Sequence, residues 1–301
     1  MTESRYTLPP GIYTALVTPF ADGAIDRAAW ERLVDRQVRS GVAGLVPVGC
    51  TGEAATLSVA EREWLVRKCV ELAAGRCAVV AGTGTNATAS TLELTREAAG
   101  WGIDAAMLIA PYYNKPQQHG LIAHYASVAD AVDIPLVIYN VPGRTAVNIL
   151  PETVRAIAGY PNVVAVKEAS GDLRQIDAIC RTSGLQVFSG DDGLNLEIFR
   201  LGGQGAVSVL GNLLPRTLVD MWKAWCAGDE ARAAAIAAAV APAVEACFRE
   251  TNPVPAKELL SLMGYCRPDP RLPLATATAE SRAWLRDFHD GPLAGLLQAE
   301  A

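Results

Sequence analysis

Eight short apolar runs punctuate the first two thirds of the chain, separated by stretches whose apolar residues recur at helical spacing. The runs are Ala15-Leu-Val17, Gly44-Leu-Val-Pro-Val48, Ala78-Val-Val-Ala81, Ala106-Met-Leu-Ile-Ala110, Pro135-Leu-Val-Ile-Tyr139, Val163-Val-Ala-Val166, Leu185-Gln-Val-Phe188 and Ala206-Val-Ser-Val209. Runs this short and continuously apolar read as strands buried on both faces, which is the condition of strands in a parallel sheet covered by helices. Helical spacing follows the first run at Trp30, Leu33, Val34 and Val38. After the second, Ser58-x-x-Glu61 forms a capping box ahead of Trp64, Leu65 and Leu72. Asp172 ahead of Leu173, Ile176 and Ile179, and Pro151-Glu-Thr-Val ahead of Ile157, signal two more helix starts.

Eight strands alternating with helices, and no Pro/Ser/Gly linker dividing them, predict α/β architecture closed into a (β/α)8 TIM barrel. Such a barrel needs about 250 residues. An open doubly wound sheet is the competing fold, and it would want a G-x-G-x-x-G turn after an early strand. Gly82-Thr-Gly84 starts that pattern but lacks the third glycine. Past about residue 214 the strand pattern stops. An Ala-rich helical stretch over 216–250 is followed by helices over 256–263 and 278–289. Residues 1–214 are therefore read as the barrel with most of the active site, and 215–301 as a barrel-closing helix and C-terminal helical extension. The prolines of Glu250-Thr-Asn-Pro-Val-Pro-Ala-Lys257 are expected to fix an irregular connection between helices.

Several function classes are disfavoured by what the chain contains. A net charge of −6 leaves no basic footprint for nucleic acid and no polybasic membrane anchor. No apolar run approaches the roughly 18 residues of a membrane span, so a cytoplasmic protein is expected. The seven cysteines are scattered with no C-x-x-C pair, which suggests neither a disulfide framework nor a zinc site. Of three histidines, His119 and His124 are five apart and would not share a helix face as metal ligands do. No metal is expected, although carboxylate-only sites stay open.

Chemistry in such barrels sits where strands run out at their C-terminal ends, so the residues following each run matter most. The sixth run ends at Lys167. A lysine there is costly as a cation unless paired, and desolvation favours the neutral amine that a Schiff base requires. It could equally snorkel outward or pair with an acid. After the second run, Gly49-Cys-Thr-Gly-Glu53 is a glycine-bracketed turn that offers backbone N–H groups and the Thr51 hydroxyl to a small carboxylate, or merely a loop that uses glycine to turn. Tyr139 ends the fifth run, where a phenol can pass protons to a carbinolamine or simply be a buried tyrosine bonded to a carbonyl. Arg144 follows in a Pro-Gly turn and supplies a planar fork for a second carboxylate, or is a surface arginine. Together these four form a consistent site for a keto acid.

The motifs Gly49-x-Thr-Gly-Glu53, Tyr139-Asn-Val-Pro-Gly-Arg144, Val166-Lys-Glu-Ala-Ser-Gly171, Ser189-Gly-Asp-Asp192 and Glu250-Thr-Asn-Pro253 resemble the dihydrodipicolinate synthase and N-acetylneuraminate lyase superfamily of pyruvate-dependent class I aldolases, and specifically its synthase branch. The likeness runs from Thr18-Pro-Phe20 to Arg271-Leu-Pro-Leu274. It implies that Lys167 forms the imine with pyruvate, Thr51 and the turn hold the pyruvate carboxylate, Tyr139 is the acid/base, and Arg144 receives the aldehyde's carboxylate. Tyr113 matches a residue reaching across a dimer interface, and Gly190 and Val207 match positions that contact substrate through the backbone. The implied reaction condenses pyruvate with aspartate 4-semialdehyde through an enamine, then cyclises with loss of water, in the diaminopimelate route to lysine. No cofactor is implied, and the implied assembly is a homotetramer built as a dimer of dimers.

Two departures stand out. Cys50 replaces the relay hydroxyl usual in that family, and a thiol is the weaker donor and acceptor, so a slower or rerouted relay is expected. Where lysine-inhibited members present a histidine and a glutamate, this chain has Arg62 and Ser90, although Asn86 and Tyr112 are kept. Arg62 would repel a ligand's ammonium and Ser90 cannot neutralise it, so insensitivity to lysine is expected. An aldolase or dehydratase acting on a 2-keto-3-deoxy sugar acid is the alternative within the superfamily. A non-catalytic barrel that binds small acids is the alternative outside it, and Lys167 together with Tyr139 argues against that.

Overall fold

The computed structural model describes residues 6–300. Its strands are β1 (Gly11–Ala15), β2 (Phe20–Ala21), β3 (Ala24–Ile25), β4 (Gly44–Val46), β5 (Ala78–Gly82), β6 (Ala105–Ile109), β7 (Leu136–Asn140), β8 (Val163–Glu168), β9 (Gln186–Ser189) and β10 (Gly205–Ser208). Eight of them form a closed barrel in the order β1-β10-β9-β8-β7-β6-β5-β4, with helices between successive strands and further helices at the C-terminal end, as the alternation of runs predicted. The remaining two, β2 and β3, pair as a small antiparallel hairpin that the apolar pattern did not announce.

Two compact units make up the chain. One comprises the segment up to Pro10 and Ala78–Val207; the other comprises Gly11–Cys77 and the segment from Ser208 onward. In the first, β5 to β10 pair in parallel with their neighbours. All six residues of β8 are buried, as its near-continuous valine content requires of a strand covered on both faces. Helix Leu173–Thr182 starts where expected, with Asp172 accepting from the N–H groups of Arg174 and Gln175. The helix beginning at Pro151 runs to Ile157, with its proline at a position whose N–H would have no helical partner. The segment before β1 is tied down by Gln186, which accepts from Leu8 N at 2.7 Å and donates to Leu8 O at 2.9 Å.

In the second unit β1 and β4 pair in parallel. Helix Arg27–Ser40 buries Trp30, Leu33, Val34 and Val38, the stripe read from the sequence. Helix Val59–Ala73 carries the full capping box, with both reciprocal bonds between Ser58 and Glu61 present. The alanine-rich stretch resolves into two helices, Pro215–Cys226 and Glu230–Cys247. Glu300 accepts from the N–H groups of Arg216 and Thr217, so a carboxylate brought from the chain's end serves the first turn of helix Pro215–Cys226. The two prolines after Asn252 do not both lie in an irregular connection. Pro255 is the second residue of helix Val254–Leu262, where its missing N–H costs nothing, and only Pro253 precedes the helix.

Candidate active site

Lys167 and Tyr139 occupy matching positions on adjacent strands. The registers of β7 and β8 pair Tyr139 with Lys167 and Asn140 with Glu168, so the first pair shares one face and the second pair the other. Lys167 is 5% exposed, as is Tyr139, and its Nζ lies 4.1 Å from the centroid of the tyrosine ring. An amine at that distance above a π face is favoured when charged by the ring quadrupole. The phenol belongs to the residue paired with the lysine across the two strands.

Gly190 lies against this lysine. A Cβ at position 190 would fall 3.0 Å from Lys167 Cε and 2.8 Å from Ala169 Cβ, so any side chain there would displace one of them. Its N–H is bonded to Glu168 O at 2.8 Å, which carries the chain from β9 past the end of β8. Val207 is buried on β10. Arg144 is exposed in the short helix Pro142–Thr145, a turn closed by Thr145 Oγ1 donating to the carbonyls of Val141 and Val147. Tyr113 stands apart from the others. It is 88% exposed and has φ of 76°, a left-handed conformation that costs a non-glycine residue about 1–3 kcal/mol.

The opposite face of the same two strand ends is polar and closed. Asn140 Nδ2 donates to both oxygens of Glu168 at 3.1 Å and to Asn148 Oδ1 at 2.8 Å, while Asn140 Oδ1 accepts from Ile149 N at 3.0 Å. Ser170 N adds a bond to Glu168 Oε1 at 2.8 Å, and Gln175 exchanges two hydrogen bonds with Asn148. Glu168 is 0% exposed. Burial pushes its carboxyl up from the ordinary range, against the pull of the hydrogen bonds from Ser170, Asn140 and Gln175.

In the second unit, the turn at 49–54 closes on itself, with Glu53 N bonded to Cys50 O at 3.1 Å and Ala54 N to Gly49 O at 3.2 Å. It leads through a single 3-10 turn, Ala54–Thr56, to helix Val59–Ala73, as a turn leading toward a helix would. Gly52 leaves tight space for a Cβ, which would lie 3.1 Å from Leu16 O and 3.1 Å from Val48 N, and its own carbonyl accepts from Thr18 Oγ1 at 2.7 Å. Cys50 is a partly exposed free thiol. Thr51 is 4% exposed and its Oγ1 accepts from Asn252 Nδ2 at 3.0 Å.

Beneath the turn lies a buried ion pair that the sequence did not single out. Lys257 Nζ donates to Glu53 Oε1 and to Asp269 O, each at 2.7 Å, and Arg271 N donates to Glu53 Oε2 at 2.8 Å. Phe20 presents its ring to both cations, 4.5 Å from Lys257 Nζ and 4.4 Å from the Arg271 guanidinium carbon. Burial pulls the Lys257 ammonium down from the ordinary lysine value, with Glu53 opposing. Asn252, Glu53, Asn140 and Glu168 all stood inside the sequence motifs without a role. Their place in the motifs was the only available signal. Among the described residues, no group of three or more His, Cys, Asp or Glu is arranged to hold a metal ion. Nor, among the described residues, is any helix long and apolar enough to cross a membrane.

Comparison with known proteins identifies the family. Residues 8–288 match the model of the dihydrodipicolinate synthetase family. The 4-hydroxy-tetrahydrodipicolinate synthase of Leptospira biflexa is 44% identical over 276 residues, covering 91% of this chain and 93% of that protein. The crystal structure of dihydrodipicolinate synthase from Thermotoga maritima superposes with a TM-score of 0.93 at 38% identity, covering 96% of this chain and 99% of that one. A monomeric dihydrodipicolinate synthase variant superposes with a TM-score of 0.92 at 38% identity over 97% of each chain.

Proposed function

The chain belongs to the dihydrodipicolinate synthetase family, and from that membership we propose that it is a 4-hydroxy-tetrahydrodipicolinate synthase, a lyase that condenses pyruvate with L-aspartate 4-semialdehyde. The observation that carries the reading is the buried amine of Lys167 beside Tyr139 at matching positions of β7 and β8.

In this reading Lys167 attacks the carbonyl carbon of pyruvate, and the carbinolamine loses water to give the imine. The imine is the electron sink that lets the methyl group of pyruvate lose a proton, so no metal or organic cofactor is called for. The resulting enamine carbon attacks the aldehyde. The amino group of the semialdehyde then displaces Lys167 and closes the ring. Tyr139 supplies and removes protons at the carbinolamine. By the family resemblance, Thr51 takes the pyruvate carboxylate, Arg144 the carboxylate of the aldehyde, and Gly190 and Val207 contact substrate through their backbones. Cys50 stands at the relay position. Tyr113 completes the relay from a second copy of the chain, which requires at least a dimer, and we place the enzyme in a homotetramer.

The test is the intact mass after borohydride reduction with pyruvate, for wild type and Lys167→Ala, followed by the rate with aspartate 4-semialdehyde. A trapped adduct on wild type alone, together with turnover of the semialdehyde, is expected. An adduct without turnover would reassign the aldehyde, and no adduct would remove the imine.

A further inference from the structure

The pairing of β7 with β8 changes step along its length. Leu136 opposes Val163, but Val137 opposes Ala165, so Val164 is one residue more than β7 has to match it. Downstream the shifted register holds through Ile138 with Val166, Tyr139 with Lys167 and Asn140 with Glu168. Side chains alternate between faces along a strand, so a one-residue change of register exchanges the faces. In the upstream register Tyr139 would stand opposite Val166, and Lys167 opposite Asn140. Leaving Val164 unmatched is therefore what lets amine and phenol fall on the same face, and a local step in pairing that re-aims a side chain at a functional site is a recognised device.

A bulge by itself does not choose its register when the flanking residues are uniformly apolar, as Val163, Val164, Ala165 and Val166 are. Specific polar bonds do. Immediately after the Tyr139 and Lys167 pair, Asn140 donates to both oxygens of Glu168 across the two strands, and the pair is buried with its other bonds fixed by Ile149 N, Ser170 N and Asn148. In the upstream register Asn140 and Glu168 would stand on opposite faces, and a fully buried carboxylate would lose its amide donor. That is a large penalty for a buried polar group.

We infer that Asn140 and Glu168 are positioning residues, locking β7 and β8 in the register that sets Lys167 beside Tyr139. The inference rests on the reading of Lys167 as the imine-forming residue. Neither residue is assigned a contact with substrate; both act through the strands that carry the chemistry. The same network reaches Asn148 and Ile149, so it also fixes the chain beyond the turn bearing Arg144.

The experiment measures the rate of borohydride-trapped pyruvate adduct formation, at saturating and subsaturating pyruvate, in wild type, Lys167→Ala, Glu168→Ala, Glu168→Gln and Asn140→Asp. Glu168→Ala is expected to lose about tenfold to a hundredfold in the saturated rate, the scale of a misplacement near 1 Å, with less change in half-saturation. Glu168→Gln keeps a carbonyl acceptor for Asn140 and Ser170 and is expected to recover most of the loss. Asn140→Asp sets two carboxyls against each other. Its rate relative to wild type should climb as the pH falls, because a protonated carboxyl can again donate across the strands. Loss of stability alone would produce no such climb in a variant that is folded throughout. Wild-type trapping rates in folded Glu168→Ala and Asn140→Asp overturn the inference. Should Glu168→Ala fail to fold, a flat Asn140→Asp ratio overturns it and a rising ratio supports it. Absence of an adduct on wild type overturns the imine reading itself and the positioning role with it.

Discussion

Lys257 Nζ and Glu53 Oε1 lie 2.7 Å apart, with side chains 0% and 1% exposed. The pair joins helix Val254–Leu262 to the turn that carries Thr51, and Asn252, just ahead of that helix, bonds Thr51 directly. The C-terminal helices are thus part of what shapes the turn.

Lys257→Met leaves Glu53 charged and buried without its cation. Removing one partner of such a pair costs about 3–5 kcal/mol, and that loss is expected in denaturant titration. Adding Glu53→Gln should return part of it, because the orphaned charge is gone. A double variant no more stable than the single one would show that the pair contributes little beyond packing.

In the proposed mechanism Cys50 stands at the relay position, and Cys50→Thr would place a hydroxyl there. Turnover with aspartate 4-semialdehyde is expected to rise, with the pyruvate half-saturation little changed, because a hydroxyl is the better proton donor and acceptor. An unchanged or lower kcat would mean that only the backbone of residue 50 matters.

Tyr113 is 88% exposed with a left-handed backbone, and the proposed relay has its phenol serve a neighbouring copy of the chain. Tyr113→Phe and Lys167→Ala should each be nearly inactive alone. Mixed and reassembled, they should regain activity, because some sites then combine an intact lysine with an intact tyrosine from the neighbour. Failure to complement in mixed oligomers verified by mass would confine the relay to one chain.

Lysine should not inhibit at sub-millimolar concentration. Arg62 donates to the carbonyls of Ala54 and Leu57, which anchors a cation where the resemblance to lysine-inhibited members calls for a histidine, and Ser90 is exposed and uncharged. Initial rates with and without L-lysine decide the point, and inhibition in that range would refute it.

Acid should destabilise the fold through two groups. Hydrogen bonding to Arg271 holds the Glu61 carboxyl at about 2, against an ordinary 4.5. A carboxyl that binds protons less tightly when folded contributes stability that is complete above pH 4.5 and lost as the pH falls toward 2. Burial lowers His124 below its ordinary 6.5, so protonation favours the unfolded chain and stability also falls as the pH drops below 6.5. Glu168, raised by burial, works in the other direction and loses its contribution as the pH rises through its folded value. Glu61→Gln is expected to flatten the steepest part of the acid limb in thermal melts, and an unaltered limb would place the loss elsewhere.

The barrel was legible because eight buried strands leave eight apolar runs, and the helix starts were legible because Ser58 and Asp172 are side chains that cap. Strand limits were not. The first run spans Ala15-Leu-Val17, but β1 is Gly11–Ala15. Leu16 and Val17 are just as buried, yet Val17 N is bonded to the Asn212 side chain rather than to a strand. The second run stops at Val46 because Pro47 has no N–H to offer and Val48 turns to φ of 50°. Burial makes an apolar run; backbone bonding makes a strand. Lys167, Tyr139 and Thr51 could be picked out by residue type at the ends of runs. The Asn140 and Glu168 network could not, because it depends on a change of register inside four consecutive apolar residues, where no periodicity marks a step.

The unmatched Val164 gives β8 an unusual mutational profile. Exchanges among valine, isoleucine and alanine at 163–166 change packing volume in a fully buried strand and are expected to cost stability, while leaving the number of residues between the paired positions unchanged. Losing a single codon there leaves the hydropathy profile of the strand nearly unchanged and removes the step, because Leu136 would still oppose Val163, Val137 would oppose Ala165 and Tyr139 would keep Lys167 opposite it. For this stretch deletion scanning reads the step between the strands, which substitution scanning, confined to packing, passes over.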